Sequence, residues 1–183
     1  MLYSTEVSCE DELLQIHALN RENLKGNLSM QEQEEQGFVT WLYPLALLQQ
    51  MHALAPSVIV KDEEKVVGYA LVTPIETGGF HPDLQTMIDN LETLNYKGKP
   101  LPSYSYYIMG QVCIDKHYRG KGIFYMLFQE HKALYRDKYQ LLVTEISTSN
   151  YRSQKAHEKV GFINVHTYRD ILDEWNVVVW DWR

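Results

Sequence analysis

The chain has 183 residues, 45% of them hydrophobic and 12% aromatic, and carries a net charge of −7 at neutral pH. That length suits one domain with a substantial core, and that composition excludes a disordered chain. The acidic balance argues against a nucleic-acid binder, because no basic stripe offsets the phosphates. It sits better with a cationic or neutral substrate. The two cysteines, Cys9 and Cys113, lack Cys-x-x-Cys spacing, and the seven histidines lack His-Glu-x-x-His spacing. Neither a disulfide framework nor a metal site is expected. No apolar stretch is long enough for a membrane span, and the acidic start (Glu6, Glu10, Asp11, Glu12) is unlike a signal peptide. A soluble, cytoplasmic chain without a membrane partner is the expectation.

Taken in order, residues 2–7 suit a first strand, with Ser8 as N-cap of a helix to about Asn20 carried by Leu13, Leu14, Ile16 and Leu19. Residues 28–36 form a second short helix, capped by Ser29 and stopped by Gly37. Pro44 opens a third through Leu54, with Leu45, Leu48, Met51 and His52 on one face. Trp41 and Tyr43 read either as packing against a helical face or as substrate contacts. Residues 57–62 and 65–74 alternate as two strands of a hairpin turning at 62–64, with Gly68 marking a bulge. Residues 75–103 are longer than a tight strand connection needs. In that stretch Gly78 and Gly79 break structure, and Pro82 opens a helix with an apolar stripe of Leu84, Met87, Ile88, Leu91 and Leu94. This insertion, 76–103, is either a layer over the sheet or a lid over a cleft.

Residues 105–114 make a strand that runs into Arg119-Gly120-Lys121-Gly122, and a helix starts near Lys121 with Ile123, Leu127 and Leu134 on one face and Met126 beside them. A helix start offers free N–H groups and a positive dipole end, and glycines admit a ligand close to the backbone. A phosphate cradle with charge from Arg119 and Lys121 is one reading; an ordinary strand-to-helix turn is the other. Residues 139–147 are nearly continuously apolar, as in a strand covered on both faces within a parallel pair. Asn150 caps the next helix, Gly161 ends it, and residues 162–169 and 177–182 close the sheet.

Two strings carry a family resemblance. Arg119-Gly120-Lys121-Gly122-Ile123-Phe124 resembles the Arg/Gln-x-x-Gly-x-Gly/Ala signature of the GNAT acetyltransferase superfamily. Asn150-Tyr-Arg-Ser-Gln-Lys-Ala-His-Glu-Lys-Val-Gly-Phe162 resembles its second motif, Asn…Tyr-Glu-Lys-x-Gly-Phe. The match covers roughly residues 108–165. It departs at Phe124, where the motif has a small residue, and at His157, where it has a tyrosine.

The resemblance implies a mixed α/β fold, an acyl-CoA N-acyltransferase-like sheet with a splayed central parallel strand pair and the 76–103 insertion, forming one domain over 1–183. It implies an acetyl-CoA cosubstrate and no metal. The pantetheine arm would lie along Val112, Cys113 and Ile114, and the pyrophosphate on Arg119, Gly120, Lys121, Gly122, Ile123 and Phe124. Asn150 and Ser153 would add further contacts. The implied reaction is acetyl transfer to an amine by direct attack on the thioester. A non-catalytic acyl-CoA sensor or scaffold of the same fold is the alternative. The acceptor and the oligomeric state stay open, a homodimer included.

Glu145 is a carboxylate among Leu141, Leu142, Val143 and Ile146, costly there unless paired or useful. In the related ribosomal-protein alanine acetyltransferases a glutamate five residues before the motif asparagine is the general base, and Glu145 has that spacing from Asn150. A residue facing outward or paired with a neighbouring cation is the other reading. His157 is either an imidazolium acid for the departing thiolate, in place of the tyrosine, or a helix-face residue satisfied by a backbone carbonyl.

Overall fold

A short edge strand β1 (Leu2–Glu6) leads into α1 (Glu10–Glu22), α2 (Met30–Gln36) and α3 (Leu45–Leu54) in the computed structural model, which describes residues 1–183. The N-cap of α1 is Cys9, not Ser8; Ser8 instead donates both its backbone N–H and its hydroxyl to Glu12. Glu12 is buried and also takes Lys61 at 2.9 Å, so the acidic first turn is tied to the sheet. Ser29 and Glu32 form a reciprocal capping box on α2, which ends at Gly37. Trp41 and Tyr43 lie on no helix: they sit in the irregular segment before α3.

The hairpin β2 (Val58–Asp62) and β3 (Lys65–Thr73) follows, then a 3₁₀ turn (Ile75–Phe80) that includes the two glycines expected to break structure. Next come α4 (Pro82–Glu92), the two-residue strands β4 (Asn95–Tyr96) and β5 (Lys99–Pro100), and the long strand β6 (Tyr106–Ile114). The remainder is α5 (Ile123–Tyr135), β7 (Leu141–Ser147), α6 (Tyr151–Val160), β8 (Ile163–Arg169) and β9 (Glu174–Asp181).

Seven strands join in the order β1-β2-β3-β6-β7-β9-β8. All neighbours run antiparallel except β6 and β7, which are parallel. Alternation along these strands fills two opposite faces. Tyr107, Met109, Leu142 and Trp180 face α5, around Leu127 and Phe128. On the other face α1 and α3 pack on Ile59, Tyr69 and Leu71, and α4 packs through Ile88 and Leu91 on Ile108, Val143 and Val179. The insertion therefore layers the sheet; its stripe buries Leu84, Ile88 and Leu91.

The buried face of α5 differs from expectation. Leu134 is 40% exposed, and the face is Ile123, Leu127, Phe128, His131 and Tyr135. Three aromatic residues thus hold the helix, and His131 is satisfied by the Tyr107 hydroxyl at 2.7 Å and the Ala70 carbonyl at 3.2 Å. Burial pushes its pKa down to about 3, so it is a neutral core residue. No helix is long and apolar enough to cross a membrane.

The pairing of β2 with β3 shifts register between Val60 and Lys61, opposite Gly68 and Val66, which places a bulge beside Gly68 as expected. A Cβ on Gly68 would stand 2.8 Å from Ile123 Cγ2, so this glycine lets the start of α5 rest on the sheet. Gly68→Ala should cost roughly 1–3 kcal/mol in denaturant unfolding by overpacking. Gly79→Ala, whose Cβ meets nothing within 4 Å, should stay within about 0.5 kcal/mol of the parent.

Candidate active site

Parallel pairing of β6 with β7 covers Tyr106–Leu141, Tyr107–Leu142 and Ile108–Val143, and stops there. Beyond that rung the two strands part. On its outer side β6 stays paired with β3 as far as Ile114, and β7 with β9 as far as Ser147. The pairing of β6 with β3 shifts between Met109 and Val112, so β6 bulges at Gly110 and Gln111 where it leaves β7. Main-chain groups of residues 109–114 on the gap side have no main-chain partner in β7; side chains take the Met109 and Ile114 carbonyls, and the rest demand a ligand or water.

The gap opens into a cavity lined by Val112, Cys113, Ile114, Arg119, Gly120, Phe124, Asn150 and Ser153, all of them residues singled out in the sequence. Its other walls were not foreseen: Asn23, residues 36–39, Arg152 and Ala156. Burial pushes the Cys113 thiol up to about 12, so it is no nucleophile at neutral pH. The expected residues Lys121, Gly122 and Ile123 do not line the cavity. Ile123 points its side chain into the core, and Lys121 holds its ammonium 4.4 Å over the Tyr118 ring.

At the head of α5 the backbone suits an anion. Gly120 and Gly122 adopt φ of 79° and 80°, the left-handed region that a side chain disfavours. The first intrahelical bond runs from Met126 N to Gly122 O. The amides of Ile123, Phe124 and Tyr125 are therefore left free of the helix ladder. Phe124 does not obstruct them, because its ring turns toward Phe128 at 4.7 Å and His157 at 5.0 Å.

Arg119, which the sequence offers as a charge for phosphates, also has structural ties. Its Nε donates to Ile114 O at 3.1 Å, one Nη to Gln36 Oε1 at 3.0 Å and the other to Asn23 Oδ1 at 2.8 Å. The guanidinium is half-buried, and it ties the ends of α1 and α2 to the end of β6. Asn150 is engaged at both ends of its amide. Its Oδ1 accepts from Ser153 N, as a cap should, and its Nδ2 donates to Phe38 O at 3.1 Å. Arg152 donates to Glu35 O at 2.8 Å.

Glu145 stands beyond the last paired rung of β7, on the sheet face that carries α4. Burial raises its carboxyl to about 7; the adjacent Tyr168 hydroxyl pulls it back, and the charge of Asp170 adds to the rise. Its Oε1 is buried without a partner. No cation pairs with it within 4 Å, which removes the salt-bridge reading.

His157 is 1% exposed, and its Nδ1 lies 2.8 Å from the Ser153 carbonyl. A carbonyl only accepts, so Nδ1 carries the proton and Nε2 is bare. That Nε2 has no partner and is enclosed by Phe124, Phe128 and Phe162. Burial pushes the imidazole down to about 4. The expected acid is therefore a neutral, enclosed ring with no proton on the nitrogen that could deliver one.

The sequence profile of the Acetyltransferase (GNAT) family matches residues 27–162. The chain belongs to that family. No curated protein matches it in sequence. Solved structures share its fold across nearly the whole chain. The ribosomal-protein-S18-alanine N-acetyltransferase of Escherichia coli superposes with a TM-score of 0.62 at 9% identity, over 99% of this chain and 94% of the other. The yncA structure from Salmonella typhimurium, with its cofactor acetyl-CoA, gives 0.63 at 13%, over 98% and 93%. An N-acetyltransferase from Staphylococcus aureus Mu50 gives 0.63 at 18%, over 99% and 98%.

In this GNAT chain the structural importance of Arg119 is separable from its charge. A lysine keeps the charge but cannot make the three-way tie. Arg119→Lys and Arg119→Gln should both lose about 1–3 kcal/mol in denaturant unfolding, through the partners they strand. A lysine variant as stable as the parent would show that charge alone matters there.

Proposed function

We propose that this GNAT protein is an N-acetyltransferase that moves an acetyl group from acetyl-CoA to an amine by direct attack on the thioester. The observation that carries this reading is the gap between β6 and β7, with unpaired strand groups at one end and free amides of a glycine-rich helix start at the other. A molecule that is amide-rich along an extended arm and anionic at one end satisfies both. Val112, Cys113 and Ile114 would hold the arm through their backbone. Residues 119–124, Lys121 and Gly122 among them, would hold the pyrophosphate. Asn150 and Ser153 border the arm from α6. When bound, acetyl-CoA supplies an acyl group on a good leaving group, a thiolate.

Glu145 is the base in this reading. An ammonium must lose a proton before it attacks, and a carboxyl near 7 accepts one at neutral pH where an ordinary carboxylate is a weaker base. The insertion reaches the same spot, since Asn90 of α4 contacts Tyr168, the neighbour of Glu145. Residues 76–103 thus serve as a wall on the acceptor side of a single domain. The thiolate leaves without help from His157, whose proton is spent on Ser153.

The deciding experiment measures CoA affinity by calorimetry and thiol release from acetyl-CoA with a panel of amines. CoA binding without turnover on any amine would leave a non-catalytic acyl-CoA sensor or scaffold. With turnover, kcat/KM should rise as pH climbs through about 7, the range in which Glu145 becomes unprotonated. Glu145→Gln should lower kcat by roughly 10²-fold or more, and His157→Phe should leave it within about threefold, since no proton transfer is lost.

Glu145→Gln should also change stability, in the opposite direction. The carboxyl loses its proton near 4.5 when unfolded and near 7 when folded. Its contribution is therefore intact below 4.5 and is lost as pH rises through 7. At pH about 8 the Gln variant should gain stability on the order of 3 kcal/mol, and at pH about 4 almost none.

A further inference from the structure

Side-chain alternation puts Thr73 of β3, Gly110 of β6 and Glu145 of β7 on one face of the sheet, the face covered by α1, α3 and α4. Ile108 pairs with both Thr73 and Val143. Gly110 and Glu145 each lie two residues further on, one same-face step past the last paired rung, where the strands have parted. A Cβ on Gly110 would collide with Thr73 Oγ1 and lie 2.7 Å from Tyr43 Oη. Two hydroxyls therefore converge on the space that the glycine leaves open. Tyr43 is almost fully buried there, and the charge of Glu145 acts on its phenol.

Two of these three groups are unsatisfied. Thr73 is wholly buried, and its Oγ1 has no hydrogen-bond partner. Glu145 Oε1 is likewise without one. Buried polar atoms left unpaired are costly, and so point to a missing partner. A partner that donates hydrogens fits all three, because an ionised carboxylate only accepts and hydroxyl oxygens accept readily. It should be positively charged, because the charged group acting on Tyr43 is Glu145, and the one acting on Glu145 is Asp170. No lysine, arginine or histidine acts on either side chain; His17 reaches only the main-chain carbonyl of Tyr43.

We infer that Thr73, Tyr43 and Glu145 form a three-oxygen cradle for a primary ammonium, and that the acceptor is a primary amine with no carboxylate beside it. A primary ammonium offers three N–H donors and one charge to three oxygens. An amine whose neighbouring carbon carries a carboxylate would set that anion near Glu145 and Asp170 with no cation to receive it. Decarboxylated amines and amide-blocked amino groups, such as peptide N-termini, satisfy the cradle; free α-amino acids do not. This rests on the acetyl-transfer reading above, and it assigns Thr73 and Tyr43 to recognition of the acceptor and not to the thioester.

The test uses the full chain and matched pairs of acceptors: tyramine with tyrosine, phenethylamine with phenylalanine, and alaninamide with alanine. N-methylalaninamide is added as a secondary amine. Thiol release from acetyl-CoA is followed for each, and CoA affinity is measured separately by calorimetry. In every pair that turns over, the carboxylate-free member should have the higher kcat/KM by about tenfold or more, and methylation should lower it similarly. Thr73→Val removes an unsatisfied oxygen at nearly constant shape. It should unfold no more easily than the parent and bind CoA equally well, while acceptor KM rises about tenfold. A free amino acid used as well as its partner, or an unchanged acceptor KM in Thr73→Val, would overturn the cradle and leave acetyl transfer standing. CoA binding with no thiol release from any amine would remove both readings together.

Discussion

The parting of β6 from β7 after Ile108 and Val143 is the constraint on which the rest of the site depends. Unpaired main-chain groups in a protein interior are unfavourable, so two adjacent strands zip together unless something holds them apart. Here each strand is committed on its outer side. β9 pairs with every residue of β7, and β3 follows β6 to Ile114. The bulge at Gly110 and Gln111 turns β6 away from its parallel neighbour, and Arg119 anchors the far end of β6 to α1 and α2. At the point of departure the Thr144 hydroxyl donates to the Met109 carbonyl, occupying one acceptor that a strand would have used. The gap is thus a property of fixed outer pairings, not of a loose sheet.

Glu145 and His157 show how burial sorts similar candidates. Desolvation disfavours the charged form of each, which pushes the carboxyl up to about 7 and the imidazole down to about 4. For the carboxyl that shift brings its proton affinity to neutral pH. For the imidazole it moves titration away. Partners complete the difference. His157 spends its one N–H on Ser153, while Glu145 keeps an oxygen free at the parted strands. The same desolvation therefore leaves one group titrating near neutral pH and makes the other a neutral piece of the aromatic core around Phe128.

Much of this was legible in the sequence because it is local. Period-two alternation located the strands, and the caps at Ser29 and Asn150 follow from residue type and spacing. The left-handed glycines 120 and 122 mark the strand-to-helix turn, and the oddity of Glu145 was visible as a charge in an apolar run. The errors came from tertiary choices. Leu134 has the spacing of a buried residue on α5, but Phe128, His131 and Tyr135 supply the larger apolar and hydrogen-bonded contact, so the helix rotates onto them. The side-chain ties of Arg119 were equally out of local reach, because Asn23 and Gln36 come to it from far along the chain. Nothing local in the segment around Gln36–Val39 or in Thr73 signalled a place at the gap. Their role depends on which strand end and which helix end meet them.

The segment at 36–39 shows how far that dependence runs. With seven residues, α2 is too short to hold helical structure by itself. Its capping box fixes the start, but the other end is held by Arg119 on Gln36, Arg152 on Glu35 and Asn150 on Phe38. The main chain of Val39 adds a bond to Asn23, and Lys25 returns one to Val39. All three side-chain ties come from residues that line the gap between β6 and β7. Groups that shape the cavity therefore also help to order its roof, beside the bonds that Gln33 makes to Lys25 and Leu28. A family signature confined to residues 119–124 and 150–162 thus governs the position of a helix some eighty residues earlier in the chain. That coupling makes α2 part of the site although its own sequence, a run of glutamine and glutamate, carries no chemistry of the reaction.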